Sequence, residues 1–482
     1  MINTIGLFLF ALLLSGCLLG QDYERPDLAL PTTFRSDAEQ SENLSSLGEL
    51  QWWELFKDDD LHRLIDTAMQ ENKDLRLAVT RVNEARGQYG VARGALLPQA
   101  TVLGSASRTK IPSSSIPGLS SGDSEANDSF LTAAGLSYEL DLWGRLRRAR
   151  EAAWAELLAS EEARKTVVMT LVGEVAQAYF ELQALDLQLA IAKRTLATRL
   201  ESLKLIAIRQ KHAFSSDFDL RRAEAQEAEA AAEIPRLEQL IVQQENRLRL
   251  LLGQNPGAIV RHQALNDKAV PPIVPAGLPS SLLERRPDIR QAEVTLVAAN
   301  ARIGEAKAAF FPQIRLTGAY GFASSDLADL FTGQSQLWSY GPTVIIPFFQ
   351  GGTLRANLSV AEAREQAALI EYEKAIQQAF REVDDALITY QKTGDRQRQQ
   401  ERLVQASRDS VDLAMMRYKG GISDYLEVLD TQRQLFSAEI QLAETRQARL
   451  VSVVHLYKAL GGGWSSESDT GRAAADQDEG NS

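Results

Sequence analysis

Cysteine is nearly absent. Cys17 stands alone among 482 residues, so a disulfide within the chain is excluded. Long apolar runs are scarce too. Ile5 to Leu14 is apolar over about ten residues, and nothing else approaches the ~18 that a transmembrane helix needs. No inner-membrane span is therefore expected, nor an energy-coupling membrane domain. The four histidines, His62, His212, His262 and His455, lie far apart and form no HExxH or HxH pattern, so a His-based metal site has no support. No phosphate-binding GxxxxGK[ST] occurs, and no enzyme activity or cofactor is expected. Positive charge is in deficit: a formal net charge of −12 argues against nucleic acid as a partner.

What the chain does have is itself, twice. Asp74 to Gln99 (DLRLAVTRVNEARGQYGVARGALLPQ) aligns without a gap on Asp288 to Gln313 (DIRQAEVTLVAANARIGEAKAAFFPQ), at an offset of 214. Farther on the offset is 208. It sets Arg209 on Arg417, Ser215 on Ser423, and Leu252-Gly253 on Leu460-Gly461. Two copies of one supersecondary unit predict a pseudo-symmetric architecture.

Each copy reads as helix, strand, strand, helix, helix. An Ala-, Arg- and Glu-rich helix stops at Pro98 or Pro312. Alternation follows. Ile314, Leu316, Tyr320 and Phe322 oppose Gln313, Arg315, Thr317 and Ala319, while Leu136, Tyr138, Leu140 and Leu142 oppose Ser137, Glu139 and Asp141. This pattern fits either a membrane β-strand, apolar toward lipid and polar toward a lumen, or a soluble hairpin with one buried face. The strands are placed at about 99–108, 131–142, 313–322 and 337–348. Between the first two, Ile111 to Asp128 is rich in Ser, Gly and Pro and reads as a loop; Ala323 to Gln336 is its shorter counterpart.

Leu146 to about Lys211 holds no Pro and a single Gly, which predicts a helix of roughly 100 Å at ~1.5 Å per residue. Leu171, Val175, Ala178, Leu182, Leu185, Leu189, Ala192 and Leu196 step by alternating fours and threes, a heptad seam. In the second copy, Leu354 to Lys419, the seam is more polar (Tyr390, Thr393, Gln397, Gln400) and fits either a solvated channel face or a looser coiled coil. Turns at His212–Ser216 and Gly420–Asp424 lead to return helices. Ser423 or Asp424 is placed to cap the second of these, and Pro235 should interrupt and kink the first. Asp58-Asp59-Asp60 could suggest a metal cluster, but a helix N-terminus accounts for it better. Trp52-Trp53 is expected to pack an N-terminal arm on the helical body.

The chain divides accordingly. Residues 1–16 are a lipoprotein signal peptide and 17–57 an acylated arm. Residues 58–270 are the first repeat, 271–279 a Pro-rich linker, 280–464 the second repeat and 465–482 a disordered tail. Leu14-Ser15-Gly16-Cys17 resembles the bacterial lipobox, with Cys17 the site of lipidation, although no basic residue precedes the apolar run. Leu18 after it favours outer-membrane sorting, by analogy with bacterial lipoproteins.

The whole layout resembles the TolC-type outer membrane efflux family, within it the OprM/NodT-like lipoprotein branch. The carriers are the lipobox, Trp52-Trp53, Leu97-Pro98-Gln99, Tyr138 to Gly144 (YELDLWG), Glu284 to Asp288 (ERRPD), Phe310 to Gln313 (FFPQ), Pro347 to Gly352 (PFFQGG) and Tyr457 to Trp464 (YKALGGGW). The resemblance implies a mainly α homotrimer: a 12-stranded β-barrel in outer membrane lipid on a coiled-coil periplasmic tunnel. It implies a passive exit duct for drugs or other small toxic compounds. Its partners would be a periplasmic adaptor (membrane fusion) protein and an inner membrane RND-type transporter. A type I protein-secretion duct is the alternative, and a poreless envelope spacer a third reading if the strands are soluble hairpins. The resemblance also carries a periplasmic gate onto Arg417, Tyr418, Leu426, Asp430 and Arg433, with Leu426 and Asp430 forming rings on a threefold axis. Asp430 as a plain surface carboxylate is the competing reading. The first copy has Phe218 and Arg222 at those places and cannot build the same acidic ring.

Overall fold

The computed structural model describes residues 18–27, 56, 58–110, 126–262, 265 and 282–462. Cys17, Trp52-Trp53, the linker 271–279 and the tail 465–482 lie outside them. The elements are α1 (Asp59–Glu71), α2 (Lys73–Gly94), β1 (Gln99–Lys110), β2 (Ala126–Leu140), α3 (Arg145–Lys211) and α4 (Asp217–Leu251). The second half supplies α5 (Leu282–Arg285), α6 (Pro287–Ala308), β3 (Gln313–Ser324), β4 (Gln336–Ile345), α7 (Thr353–Lys419) and α8 (Tyr425–Ala459). The halves match in length: α2 and α6 have 22 residues each, α3 and α7 67, α4 and α8 35. No helix of the described residues is long and apolar enough to cross a membrane.

Two compact units emerge. Of the described residues, one contains 18–27, 81–110, 126–160 and 292–372, the other 56, 58–80, 161–262, 265, 282–291 and 373–462. The first unit holds the sheet, ordered β1-β2-β3-β4 and antiparallel throughout. Facing residues in the ladder share a side of the sheet. One side therefore gathers Leu140, Ile314 and Val344; Tyr138, Leu316 and Pro342; Ala134, Tyr320 and Trp338. The other gathers Glu139, Arg315 and Thr343; Ser137, Thr317 and Gly341; Thr101, Gly135, Ala319 and Ser339. The apolar side is open: Leu316, Tyr320, Trp338, Tyr340 and Val344 are all exposed. Among the described residues β1 and β4 each pair on one edge only.

The strand limits differ from the sequence expectation, and chemistry explains two of the differences. β2 ends at Leu140, because the Asp141 carboxylate turns to cap α3, accepting from the amides of Leu146 at 3.0 Å and Arg147 at 2.9 Å. Asp141 and Leu142 thus fall outside the alternating strand. β4 ends at Ile345, short of Pro347, which has no N–H to give a ladder. At its other end β2 begins at Ala126, facing Lys110, so Ala126 to Asp128 are strand and not loop.

The N-terminal segment is clamped within the same unit. Arg148, 1% exposed, donates to the carbonyls of Leu19 and Gly20 and to Asp22. Arg25 grips Glu293 with two bonds of 2.6 and 2.7 Å. Gly304 is required here, since a Cβ on it would stand 2.7 Å from the Leu19 carbonyl oxygen.

The second unit is helical. Asp58 caps α1, its carboxylate accepting from Asp60 N and Leu61 N at 3.0 and 3.2 Å. The acidic triplet is therefore a helix start. Asn72 closes the α1–α2 junction, accepting from Leu75 N at 2.9 Å and donating to the Leu251 carbonyl at 2.8 Å. In the α3 seam Leu171, Val175, Ala178, Leu182 and Ala192 are buried. The polar α7 seam is packed as well. Gln400 donates to the Ala438 carbonyl at 3.3 Å, Gln397 accepts from Arg449 at 3.0 Å, and Thr393 meets Ser452 at 3.4 Å. Of the two readings left open for this seam, the polar coiled coil holds, because its polar groups bond to α8. α4 runs unbroken through Pro235, with Ala230 and Leu237 fully buried on either side. Packing there outweighs the lost backbone donor, so Pro235 does not interrupt the helix.

Candidate functional site

Both long helices of the helical unit end in basic residues, Arg209 and Lys211 in α3 and Arg417 and Lys419 in α7, where the carbonyl ends attract cations. The turns that follow share one geometry. Phe214 N donates to Arg209 O at 2.8 Å, and Ile422 N to Arg417 O at 2.9 Å. Each needs a left-handed residue, supplied by Gly421 at φ 72° in one and Ala213 at φ 62° in the other. The missing glycine of the first copy is thus replaced by a strained alanine. Ser216 then starts α4 with a full capping box to Asp219. Asp424 occupies the corresponding place before α8 without a side-chain cap bond, and Ser423 Oγ is buried with no hydrogen-bond partner among the described residues.

Between the two turns lies an apolar core of Ile206, Ala223, Ala414, Tyr418, Tyr425, Val428 and Leu429. The Tyr418 and Tyr425 rings sit 5.2 Å apart, and the Arg209 guanidinium lies 4.7 Å from the Tyr418 ring centre. Burial pushes the Tyr425 phenol up to about 12, against a smaller opposite pull from its hydrogen bond with Ser202.

The five residues expected to form a gate separate into two groups. Tyr418 is a core residue, and Arg417 reaches across the turn to Glu427 at 3.2 Å. Leu426, Asp430 and Arg433 stand outside the core on α8. Leu426 is 42% exposed, and Asp430 meets Arg433 only at 3.8 Å, with both half exposed. Leu426 and Asp430 are four apart and share a helix face. At the matching places of α4, Arg222 lies over the Phe218 ring at 4.9 Å. Within one chain, then, this face presents an apolar side chain and a carboxylate to the outside and closes nothing. Arg209 and Glu427 were missed in the sequence. The alignment of Arg209 on Arg417 was the signal for the first; nothing in the spacing pointed to the second.

Among the described residues no group of three or more His, Cys, Asp or Glu could hold a metal ion. The lipidation candidate Cys17 lies outside the described residues.

Comparison with known proteins adds four findings. The family model described as outer membrane efflux protein matches residues 64–254 and 278–462. The solvent efflux pump outer membrane protein SrpC of Pseudomonas putida is 40% identical, covering 95% of this chain and 98% of its own length. The cation efflux system protein CusC of Escherichia coli O6:H1 is 38% identical, covering 95% and 98%. Among solved structures, the open state of the MtrE outer membrane channel of Neisseria gonorrhoeae superposes with a TM-score of 0.83 at 35% identity, covering 93% of this chain and 98% of that one.

Proposed function

The chain belongs to the outer membrane efflux protein family, and we propose that three copies of it form the outer membrane exit duct of a tripartite efflux pump. The observation that carries the trimer is the sheet: four strands with an open apolar side and two unpaired edges among the described residues. Lipid does not tolerate an open edge, and four strands are too few to close a barrel. Three chains give about 12 strands, an even number inside the range of outer-membrane barrels. The exposed row with Tyr320, Trp338 and Tyr340 then faces lipid and headgroups, and the row with Glu139, Arg315 and Thr317 faces the lumen.

The remaining parts take their places in this reading. Cys17 carries the lipid anchor. The helical unit forms the periplasmic tunnel, and Phe214 and Ile422, exposed at its turns, meet the adaptor protein, beyond which stands the RND-type transporter. Leu426 supplies an apolar ring on the threefold axis and Asp430 an acidic ring one turn away, with Arg433, Arg417 and Tyr418 holding them from behind. An apolar constriction excludes water, and a ring of carboxylates admits cations in preference to anions. The duct itself is passive. SrpC is named for solvents and CusC for cations, and a duct that serves such different cargo leaves selection to the pump. The protein-secretion alternative finds no support among relatives named for efflux.

Native mass spectrometry of the detergent-extracted protein tests the assembly. Three copies are expected, and a monomer as the largest species would overturn the barrel.

A further inference from the structure

A cavity of about 290 Å³ lies in the helical unit between α3, α7 and α8. Three guanidinium groups line it, those of Arg194, Arg199 and Arg408, against one lining carboxylate, Glu439. Arg194 and Arg408 are half exposed, and both bind Glu439, at 2.6 and 3.0 Å. Arg199 is different. It is 3% exposed, and its Nη1 donates to the Gln226 carbonyl and to Glu229. Its Nε and Nη2 are buried and have no hydrogen-bond partner among the described residues. The Phe436 ring lies 5.5 Å from its guanidinium. Gln432, also on the wall and 7% exposed, has neither its amide oxygen nor its amide nitrogen hydrogen-bonded among the described residues.

The unused atoms are chemically specific. Nε and Nη2 form the edge of a guanidinium that grips two oxygens of a carboxylate, sulfate or phosphate in parallel. Buried donors left open are rare in native proteins and call for an occupant. Two more cations, Arg194 and Arg408, line the same cavity, and the Gln432 amide supplies a further donor. We propose that this cavity is a binding site for a small oxyanion, held by the Nε–Nη2 edge of Arg199 and the amide of Gln432, with Arg194 and Arg408 over the opening. The occupant would tie α3, α7 and α8 together. The site uses helices of one chain only, so it stands or falls apart from the exit-duct reading.

The test is calorimetric titration of the purified full chain in detergent with sodium phosphate, sulfate or acetate, against chloride at matched ionic strength. One saturable site per chain is expected for at least one oxyanion. Its affinity should fall tenfold or more in Arg199→Lys, which keeps the charge but loses the two-pronged edge. Should that variant lose helix content, Gln432→Leu, which leaves every charge in place, carries the same test. Tighter phosphate than acetate would mark a tetrahedral ligand and the reverse a carboxylate. Saturable binding to none of them, or binding that both folded variants retain in full, overturns the site.

Discussion

At the scale of single residues, the two repeats act as controls for each other. Ala213 holds a left-handed conformation that Gly421 adopts freely in the second copy. Ala213→Gly should therefore stabilise the helical unit, by about 1 kcal/mol, read as a raised thermal midpoint of the helical circular dichroism. Gly253 shows the reverse. It sits at φ 69°, and a Cβ would stand 2.3 Å from the Glu71 carbonyl oxygen, whereas at Gly461 the nearest atom is 3.2 Å away. Gly253→Ala should cost roughly 2–3 kcal/mol, and more than Gly461→Ala, in the same melt. Asp60 gives a pH dependence. Burial works against its charge, but hydrogen bonds from His262 and Arg63 outweigh it and lower the carboxyl from its ordinary 3.8 to about 2. Since the folded value is the lower one, the stabilisation is present above about pH 4 and is lost as pH falls toward 2. Asp60→Asn should flatten the stability curve of the helical unit in that window. An unchanged slope between pH 4 and 2 would contradict the assignment.

At the scale of elements, the sequence was most legible where one physical rule acted alone. The breaker-free stretches became the 67-residue helices, and the repeat offset of 208 recurs between α3 and α7 and between α4 and α8. Errors gathered where a side chain changed partners. Asp141 looked like the polar half of an alternation and instead caps α3, which no period-two pattern reveals. Pro235 looked like a break, but the buried Ala230 and Leu237 hold the helix across it. The polar α7 seam fitted two readings, a solvated face or a looser coiled coil, because Gln and Thr were read without their α8 partners. At the candidate site the family pattern named residues but not their grouping, and their gating role stays a proposal. Tyr418 belongs to the core beneath the turns, while Leu426 and Asp430 stand exposed. Tyr418→Ala should accordingly lower the thermal midpoint of the helical unit, by an amount equivalent to about 3 kcal/mol. Leu426→Ala should change it by less than about 1 kcal/mol, as a side chain outside the core.

At the scale of the whole molecule, one chain leaves two features unfinished. The sheet has two unpaired edges among the described residues, and the Leu426–Asp430 face closes nothing by itself. Three copies would complete both, turning edges into a barrel and isolated side chains into rings. Substrate choice would then rest with the pump, so swapping the inner membrane transporter should change the resistance spectrum with the same duct in place. The most direct test is single-channel conductance of the purified protein in a planar bilayer, with and without the paired substitution Leu426→Ala and Asp430→Ala. A small resting conductance is expected, rising several-fold in the double variant, because the proposed constriction would lose its apolar ring and its carboxylates together. No conductance from either protein, or the same conductance from both, would contradict it.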